Sequence, residues 1–321
     1  MNAEIIDIAV LIPCYNEEAA IADVIRSFQS VLPNARIYVF DNNSSDSTAE
    51  VAKRAGAFVR TENLQGKGFV VRRMFSDIEA EIYVLVDGDG TYNAKDAPAM
   101  VEYLIFNSLD MVNGRRIQKG EAAYRIGHQF GNKLLTGLVQ TLFGSRTDDM
   151  LTGYRIFSRR FVKSFPALSM GFEIETELTI HSLELGLPIA DYDTDYFDRA
   201  PGSESKLNTF SDGWRILRTI GRFVKDERPL PFFAAFATLL LLVSFFFYVP
   251  VAIDYISTGL VPRIPSLIAG LALSSCAALS VVCGLILDTV TRNRQEMKRL
   301  AYLSEPSIEA IRSRLECASP D

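Results

Sequence analysis

Two stretches, Phe232 to Val249 and Ser266 to Leu287, are uninterrupted by charge and leave the chain little choice of fold. At about 1.5 Å per residue, each is long enough to cross a hydrocarbon core about 30 Å thick. They are expected to be two transmembrane helices. The segment between them, Pro250 to Pro265, carries only Asp254 and Arg263, whereas Lys225 and Arg228 precede the first run and Arg292, Arg294, Lys298 and Arg299 follow the second. Positive flanks stay on the cytoplasmic side, so both termini are expected there, in a multi-pass protein of the inner membrane. A helical hairpin buried in a soluble domain is the competing reading, and the charge asymmetry weighs against it.

Ahead of the first run, Ser211 to Arg228 places Trp214, Leu217, Ile220 and Val224 on one helical face, with Arg215, Arg218, Arg222 and Lys225 on an adjacent stripe until Pro229. The pattern reads as a basic helix lying on an anionic membrane, or as a helix packed on the preceding domain with a solvated basic side. The chain therefore divides into a domain over 1–210, an amphipathic helix over 211–230, a helical hairpin over 231–288 and a C-terminal tail over 289–321. The tail looks helical and mixed in charge from Gln295 onward.

The first 210 residues alternate strand and helix. Asp7 to Pro13, Ile37 to Phe40, Ala57 to Thr61, Glu81 to Val86 and Met111 to Asn113 read as strands, and the intervening segments have helical spacing. This order predicts an α/β domain with a mainly parallel sheet, where ligands bind beyond the carboxyl ends of the strands. The fourth strand ends in Asp87-Gly88-Asp89-Gly90. Two carboxylates two residues apart can point the same way and suit Mg2+ or Mn2+ carrying a substrate's phosphates. Asp-Gly pairs are also ordinary turn chemistry, and on this motif alone both readings stand. Asp41 likewise ends a strand, and Asn63 to Gly68 is a flexible loop whose Lys67 could meet a phosphate.

Several classes are excluded. A net charge of -6 disfavours a general nucleic-acid binder. With two histidines, His128 and His181, a multi-His zinc site is nearly excluded, and the four cysteines form no CxxC pair. There is no GxxxxGK[ST] loop, and Pro13-Cys14-Tyr15-Asn16-Glu17-Glu18 stands where a dinucleotide enzyme needs GxGxxG.

Between Val10 and about Leu207 the motifs resemble, in order, those of the family-two glycosyltransferases of GT-A fold, specifically the dolichyl-phosphate mannose synthase-like enzymes that glycosylate polyprenyl phosphates. Pro13 to Glu18 is similar to the family's P-x-Y-N-E-E, and Asp41 to Thr48 to its D-D-G-S-x-D-x-T. Asp87-Gly88-Asp89 resembles the metal-binding D-x-D, Asn113-Gly114-Arg115 the G-S-R, and Asp149 to Arg155 the D-x-x-S-G-F-R. Arg199 to Lys206 resembles R-x-x-G-x-S-K.

The resemblance implies that Pro13, Tyr15, Asn16, Glu17, Asp41, Asn43, Lys67, Asp87 and Gly88 bind the nucleotide. It puts the metal on Asp89 and Asp87, catalysis on Asp149, Asp89 and Arg115, and the acceptor phosphate on Arg115, Arg199, Ser205 and Lys206. The implied reaction is inverting transfer of one sugar from a nucleotide sugar, by resemblance to the bacterial branch a UDP-hexose, to a polyprenyl phosphate at the cytoplasmic membrane face. Asn42 and Asn43 depart from Asp and Gly, Thr152 from Ser, and Thr91 stands where a metal-supporting Gln can occur. Another lipid acceptor, a GDP-mannose donor, or an inactive nucleotide-binding scaffold are the rival readings, and self-association is left open.

Overall fold

The computed structural model describes residues 6–118, 148–171, 173–197, 221, 225 and 228–318. The chain forms two compact units, Met1–Ile216 with Lys298–Asp321, and Leu217–Met297.

The first unit is built on a seven-stranded sheet in the order β3-β2-β1-β4-β6-β5-β7. The strands are β1 (Ile8–Cys14), β2 (Arg36–Asp41), β3 (Phe58–Thr61), β4 (Ile82–Leu85), β5 (Met111–Gln118), β6 (Arg155–Ser158) and β7 (Ile189–Tyr196). All neighbours pair in parallel except at β6, which runs antiparallel to both β4 and β5. The expected mainly parallel sheet is therefore present.

The inner strands are buried on both faces, as their unbroken apolar runs require. Val10, Ile12, Ile82 and Val84 face one core with α1 (Ile21–Val31) and α4 (Ala97–Phe106). Ala9, Leu11, Tyr83 and Leu85 face a second core with α3 (Lys67–Asp77), α5 (Arg159–Ser164) and α6 (Ile174–Leu185). A short α2 (Thr48–Arg54) follows β2.

The C-terminal tail closes onto this unit. Helix α9 (Ile308–Ala318) sends Ile308 and Ile311 into the first core, and Tyr302 packs against the second. Tyr302 donates to Asp110 at 2.8 Å while Arg160 lies 4.7 Å over the Tyr302 ring and pairs with Asp110 at 2.5 Å. Arg159 pairs with Glu305 at 2.7 Å, and Lys298 with Glu184 at 2.8 Å.

The second unit consists of α7 (Pro229–Thr258) and most of α8 (Ile264–Ser304), both long and apolar enough to cross a membrane. Their contact is a seam of small residues seven apart: Ala237, Ser244 and Val251 on α7, Gly270, Ala277, Gly284 and Thr291 on α8. Ser244 donates to the Gly270 carbonyl at 2.8 Å, and Tyr248 and Ser274 share a hydrogen bond at 2.8 Å. The outer face is apolar and left uncovered by the described residues, with Phe246 75% exposed and Ile256 84% exposed. Helix α7 continues eight residues past Pro250, so the connection is only 259–263, and Arg263 pairs with Asp254 at 2.8 Å. A proline is tolerated there because neighbouring groups in a helical pair can satisfy the freed carbonyl.

His181 on α6 is buried, its Nε2 sharing a hydrogen bond with Ser164 Oγ at 3.1 Å and its ring edge-on to Phe161 and Phe165. Burial, with the Lys298 charge adding to it, pushes its pKa down to about 3. The folded-state value lies below the unfolded one near 6.5, so its contribution to stability is complete above pH 6.5 and is lost as pH falls towards 3. Replacing His181 by Gln should flatten the acid limb of stability by up to about 1.4 kcal/mol per pH unit in that window. Denaturant midpoints of the two proteins between pH 7 and 4 measure this.

Candidate functional site

The polar residues that end the strands meet at one edge of the sheet. Parallel strands β1, β2 and β4 carry there Pro13 to Glu18, Asp41 to Thr48, and Asp87 to Thr91. Because β6 is antiparallel, its amino end brings Asp148 to Gly153 to the same edge, beside Arg115 and Arg116 of β5. From β1 the chain moves outward to β2 and β3 on one side and then crosses back to β4 on the other, which makes the β1–β4 boundary the switch point where open α/β sheets form a crevice.

The first two loops are knitted together. Asn16 N–H donates to Ser44 Oγ at 2.9 Å, Ser45 N–H to Asn16 Oδ1 at 2.8 Å, Glu17 N–H to Thr48 Oγ1 at 2.8 Å, and Ser47 N–H to the Glu18 carboxylate at 2.9 Å. Asn16 and Asn43 sit at φ 53° and 61°. Asparagine enters this left-handed region more readily than other side chains, so Asn43 can stand where the family pattern has Gly. Asp41 is buried and accepts from Ser44 N–H at 3.2 Å, and its Oδ1 has no partner among the described residues. Asn42 ties β2 to the third loop, donating to the Glu62 and Leu64 carbonyls at 3.0 and 2.7 Å and accepting from Gly66 N–H at 2.7 Å.

The acidic pair is fixed by two different partners. Asp89 Oδ1 accepts from the Thr91 N–H at 3.1 Å and the Thr91 hydroxyl at 2.6 Å, so Thr91 orients the carboxylate. Asp87 accepts from the Lys67 ammonium at 2.5 Å, and Lys67 also meets Glu175 Oε1 at 2.6 Å. Burial works against the Lys67 charge, but Asp87 and Glu175 outweigh it and hold the group protonated far above its ordinary range. Burial pushes the Asp87 carboxyl up; Lys67 opposes this and the charges of Asp89 and Glu175 reinforce it.

These groups line a cavity of about 360 Å³, together with Pro13, Cys14, Tyr15, Glu17, Asn42, Gln65, Gly66, Val70, Gly88, Tyr92, Arg116, Leu151 and Tyr196. Its Asp, Glu, Lys and Arg lining is four carboxylates, Glu17, Asp87, Asp89 and Glu175, against two cations, Lys67 and Arg116. Among the described residues no three His, Cys, Asp or Glu side chains form a closed metal cage. An excess of carboxylates with one strand-end pair nonetheless suits Mg2+ or Mn2+, which take one or two carboxylates and complete their shell with phosphate and water. The donor set therefore fits such an ion. A second cavity of about 390 Å³, beside α1 and the turn at 94–96, shares Asp87 and Tyr92 with the first, and of the residues expected from the sequence Asp87 alone lines it.

Of the residues expected at the site, Pro13, Tyr15, Glu17, Lys67, Asp87, Gly88 and Asp89 line this cavity. Asp41, Asn16, Asn43 and Asp149 are not in its lining. Arg115 is placed elsewhere: it pairs with Asp193 at 2.6 Å and Asp148 at 3.0 Å, both exposed. Successive side chains on a strand point to opposite faces, and it is Arg116 that reaches the cavity. Arg116 grips the buried Asp149 through Nε and Nη2 at 2.7 and 2.8 Å, and its guanidinium lies 5.6 Å over the Tyr196 ring. Arg199, Ser205 and Lys206 lie outside the described residues, as does nearly all of Ser211 to Arg228.

Two close approaches join the loops. An added Cβ at Gly153 would sit 2.1 Å from Asp87 Oδ2, so the loop before β6 presses directly on the acidic pair. One at Gly68 would sit 2.1 Å from the Ser169 carbonyl, which packs the Lys67 loop against the approach to α6. Behind them Arg155 is fully buried and donates to the Met150 carbonyl at 2.6 Å, the Thr152 carbonyl at 3.2 Å, the Glu175 carbonyl at 3.1 Å and Thr179 Oγ1 at 3.0 Å. Tyr92 accepts from Gly153 N–H at 2.8 Å.

Arg116, Glu175, Tyr92 and Tyr196 were not legible as site residues. Alternation along β5 would have favoured the other arginine, since Arg115 is an even step and Arg116 an odd step from the buried Asn113. Glu175 beside Glu177 reads as ordinary first-turn acid on a helix.

The fold is GT-A, and the chain belongs to the glycosyl transferase family 2, whose model matches residues 9–165. It is 33% identical over 229 residues to glycosyltransferase AglJ of Haloferax volcanii, covering 71% of this chain and 75% of that protein. It is 30% identical over 222 residues to a dolichyl-phosphate hexose transferase of the same organism, covering 69% and 96%. Among solved structures, glucosyl-3-phosphoglycerate synthase of Mycobacterium tuberculosis, in complex with Mn2+, UDP-glucose and phosphoglyceric acid, superposes with a TM-score of 0.57 at 22% identity, over 67% of this chain and 78% of that one. That likeness is one of fold. The protein is a nucleotide-sugar glycosyltransferase.

Replacing Arg155 by Leu should strip the buried Met150 and Thr152 carbonyls of their guanidinium donor, loosen the tie to the Glu175 carbonyl, and cost more than about 3 kcal/mol of stability. Thermal unfolding of the detergent-solubilised protein, set against wild type, measures the loss.

Proposed function

We propose that the protein transfers one hexose from a UDP-sugar to the phosphate of a polyprenyl phosphate at the cytoplasmic face of a membrane, inverting the anomeric centre. The observation that carries this reading is the acidic cavity at the switch point, lined by Asp87, Asp89 and Arg116. The donor assignment draws on the structural relative crystallised with Mn2+ and UDP-glucose, and the acceptor on the relative named as a dolichyl-phosphate hexose transferase. Two helices able to cross a membrane suit an acceptor whose isoprenoid stays in the bilayer. Their basic flanks favour cytoplasmic termini.

The residues divide the work by position. Pro13, Tyr15, Glu17 and Asn42 would receive the nucleoside on the rim knitted from the first two loops. Asp89, oriented by Thr91, and Asp87, held by Lys67, would hold Mg2+ or Mn2+. That ion would supply Lewis-acid neutralisation of the charge growing on the departing diphosphate. Lys67 would place an ammonium beside the same phosphates.

We assign to Arg116 the acceptor-phosphate role that the family pattern suggested for Arg115. A guanidinium suits a phosphate, and Asp149 fixes its plane through two hydrogen bonds. An acceptor phosphate is already anionic at neutral pH, so its oxygen can attack C1 as the bond to the diphosphate oxygen breaks, without a strong base. Asp149 then acts by orienting Arg116.

Full-length protein in liposomes, supplied with radiolabelled UDP-hexoses, Mn2+ and either undecaprenyl phosphate or diacylglycerol, tests the reading. Label should enter the polyprenyl phosphate; label in diacylglycerol would make it a transferase of another lipid acceptor, and no transfer from any UDP-sugar would sink the donor. Asp89→Ala should lower the rate at least about 1,000-fold with unfolding temperature unchanged. Arg116→Ala should raise the acceptor KM while leaving the donor KM near wild type.

A further inference from the structure

The second cavity, of about 390 Å³, is left without a task by the reading above. Its inner wall is apolar: Val24, Phe28, Val86 and Ala94 line it and are buried, and the side chains of Tyr92 and Phe197 join them. Its exposed lining is polar, with Asp23, Ser27 and Ser30 on α1 and Lys95 on the turn at 94–96. A sugar or a nucleotide would give up water there to Val24, Phe28, Val86 and Ala94, whose side chains return no hydrogen bond. An apolar hollow with a polar lip suits the apolar part of an amphiphile.

Position says which amphiphile. Asp87 and Tyr92 line both cavities. From Arg116, to which the acceptor phosphate is assigned above, a run of rings leads to the second cavity. The guanidinium lies 5.6 Å over the Tyr196 ring, and Tyr196 meets Tyr92 edge-on at 5.2 Å between centroids. Phe197 follows, its N–H donating to the Thr91 carbonyl at 2.9 Å, and Tyr92 and Tyr196 also pair through their backbones, so the run is held in place. The reaction supplies the need. An acceptor phosphate that meets the sugar inside a protein cavity draws its neighbouring isoprene units out of the hydrocarbon, and apolar surface left in water opposes binding in proportion to its area. An apolar hollow beside the site removes that cost.

We infer that the second cavity takes up the first isoprene units of the acceptor, while the rest of the chain stays in the bilayer. This rests on the polyprenyl-phosphate reading and deepens it. The acceptor is then recognised by its phosphate together with the units next to it, so a short, soluble isoprenyl phosphate should bind without help from the bilayer.

The test uses full-length wild type and Ser27→Trp in nanodiscs with Mg2+ and UDP, titrated calorimetrically with geranyl phosphate and with inorganic phosphate. Affinity for UDP and unfolding temperature are read for both proteins. Ser27 is exposed on α1, so an indole there fills the hollow without cutting the core; Ser30→Trp, one turn further along the lip, replaces it should the first variant unfold. Wild type should bind geranyl phosphate at least about 10-fold tighter than inorganic phosphate, and the tryptophan variant should lose most of that preference while keeping UDP within about twofold. Its KM for undecaprenyl phosphate should rise as well. Equal affinity of wild type for geranyl and inorganic phosphate, with transfer to undecaprenyl phosphate intact, would overturn the inference and leave the isoprenoid wholly in the bilayer. Unaltered geranyl phosphate binding by the folded variant would overturn the assignment to this cavity, and a parallel loss of UDP would overturn it in favour of a disturbed Asp87 loop. Wild type that glycosylates diacylglycerol and no polyprenyl phosphate would bring down the acceptor reading and this one with it.

Discussion

A fully buried guanidinium holds the site together. Arg155 starts β6, yet its side chain donates into the loop before that strand, at Met150 and Thr152, and into the first turns of α6, at Glu175 and Thr179. Burial lowers its pKa to about 10, with Glu175, Asp149 and Asp191 pulling the other way. The group therefore stays charged at neutral pH, satisfied by carbonyls and a hydroxyl instead of by a carboxylate in contact. Such an arrangement costs desolvation energy and is stable only when the donors are met. The return is positional: the loop that carries Asp149 and Gly153 and the helix that carries Glu175 are fixed to each other through one side chain.

The cavity inherits its order from that brace. Gly153 lies against Asp87, Asp87 is held by Lys67, and Lys67 is held by Glu175, whose backbone returns to Arg155. The circuit passes through four segments remote in sequence, so a shift in any one displaces the acidic pair. Rigidity of this kind lets charged groups act without reorganising as the reaction's charge moves.

Much of the frame was legible because it obeys local rules. The strands at Asp7 to Pro13, Ile37 to Phe40 and Glu81 to Val86 are apolar, β-branched runs that only a doubly covered sheet accommodates, and the family motifs fall in their order at strand ends. What escaped notice depends on pairing. Strand β6 is four residues long and opens on a charged residue, so nothing in its composition marks it as central and antiparallel. Strand β7 reads IADYDTDY, acidic at every second position, and its place beside β5 is set by register alone. Arg115 and Arg116 are adjacent, and a motif aligned to the first could not say which one faces inward. The helix through Pro250 was cut short because proline and a nearby charge look like an end, while Asp254 is met by Arg263 across the turn. The tail's two isoleucines, Ile308 and Ile311, are too sparse to announce that they complete a core.

The charge balance of the cavity bears on how such a protein can attract its ligands at all. The chain is acidic overall, and within the lining both cations are engaged by carboxylates, Lys67 by Asp87 and Glu175, Arg116 by Asp149. Among the described residues of the lining, both cations are thus occupied at short range and contribute little steering of a polyanion. A diphosphate meets carboxylates first, and its approach becomes favourable in company with a divalent cation that Asp87 and Asp89 can share. On the proposed reading the paired arrangement would also serve the acceptor: an arginine held flat by Asp149 and lying over Tyr196 presents a preset plane, which costs less ordering on binding than a mobile lysine would. Neutralising each cation with its own carboxylate thus exchanges long-range attraction for geometry, and a donor that carries its own counter-ion is the ligand best served by that exchange.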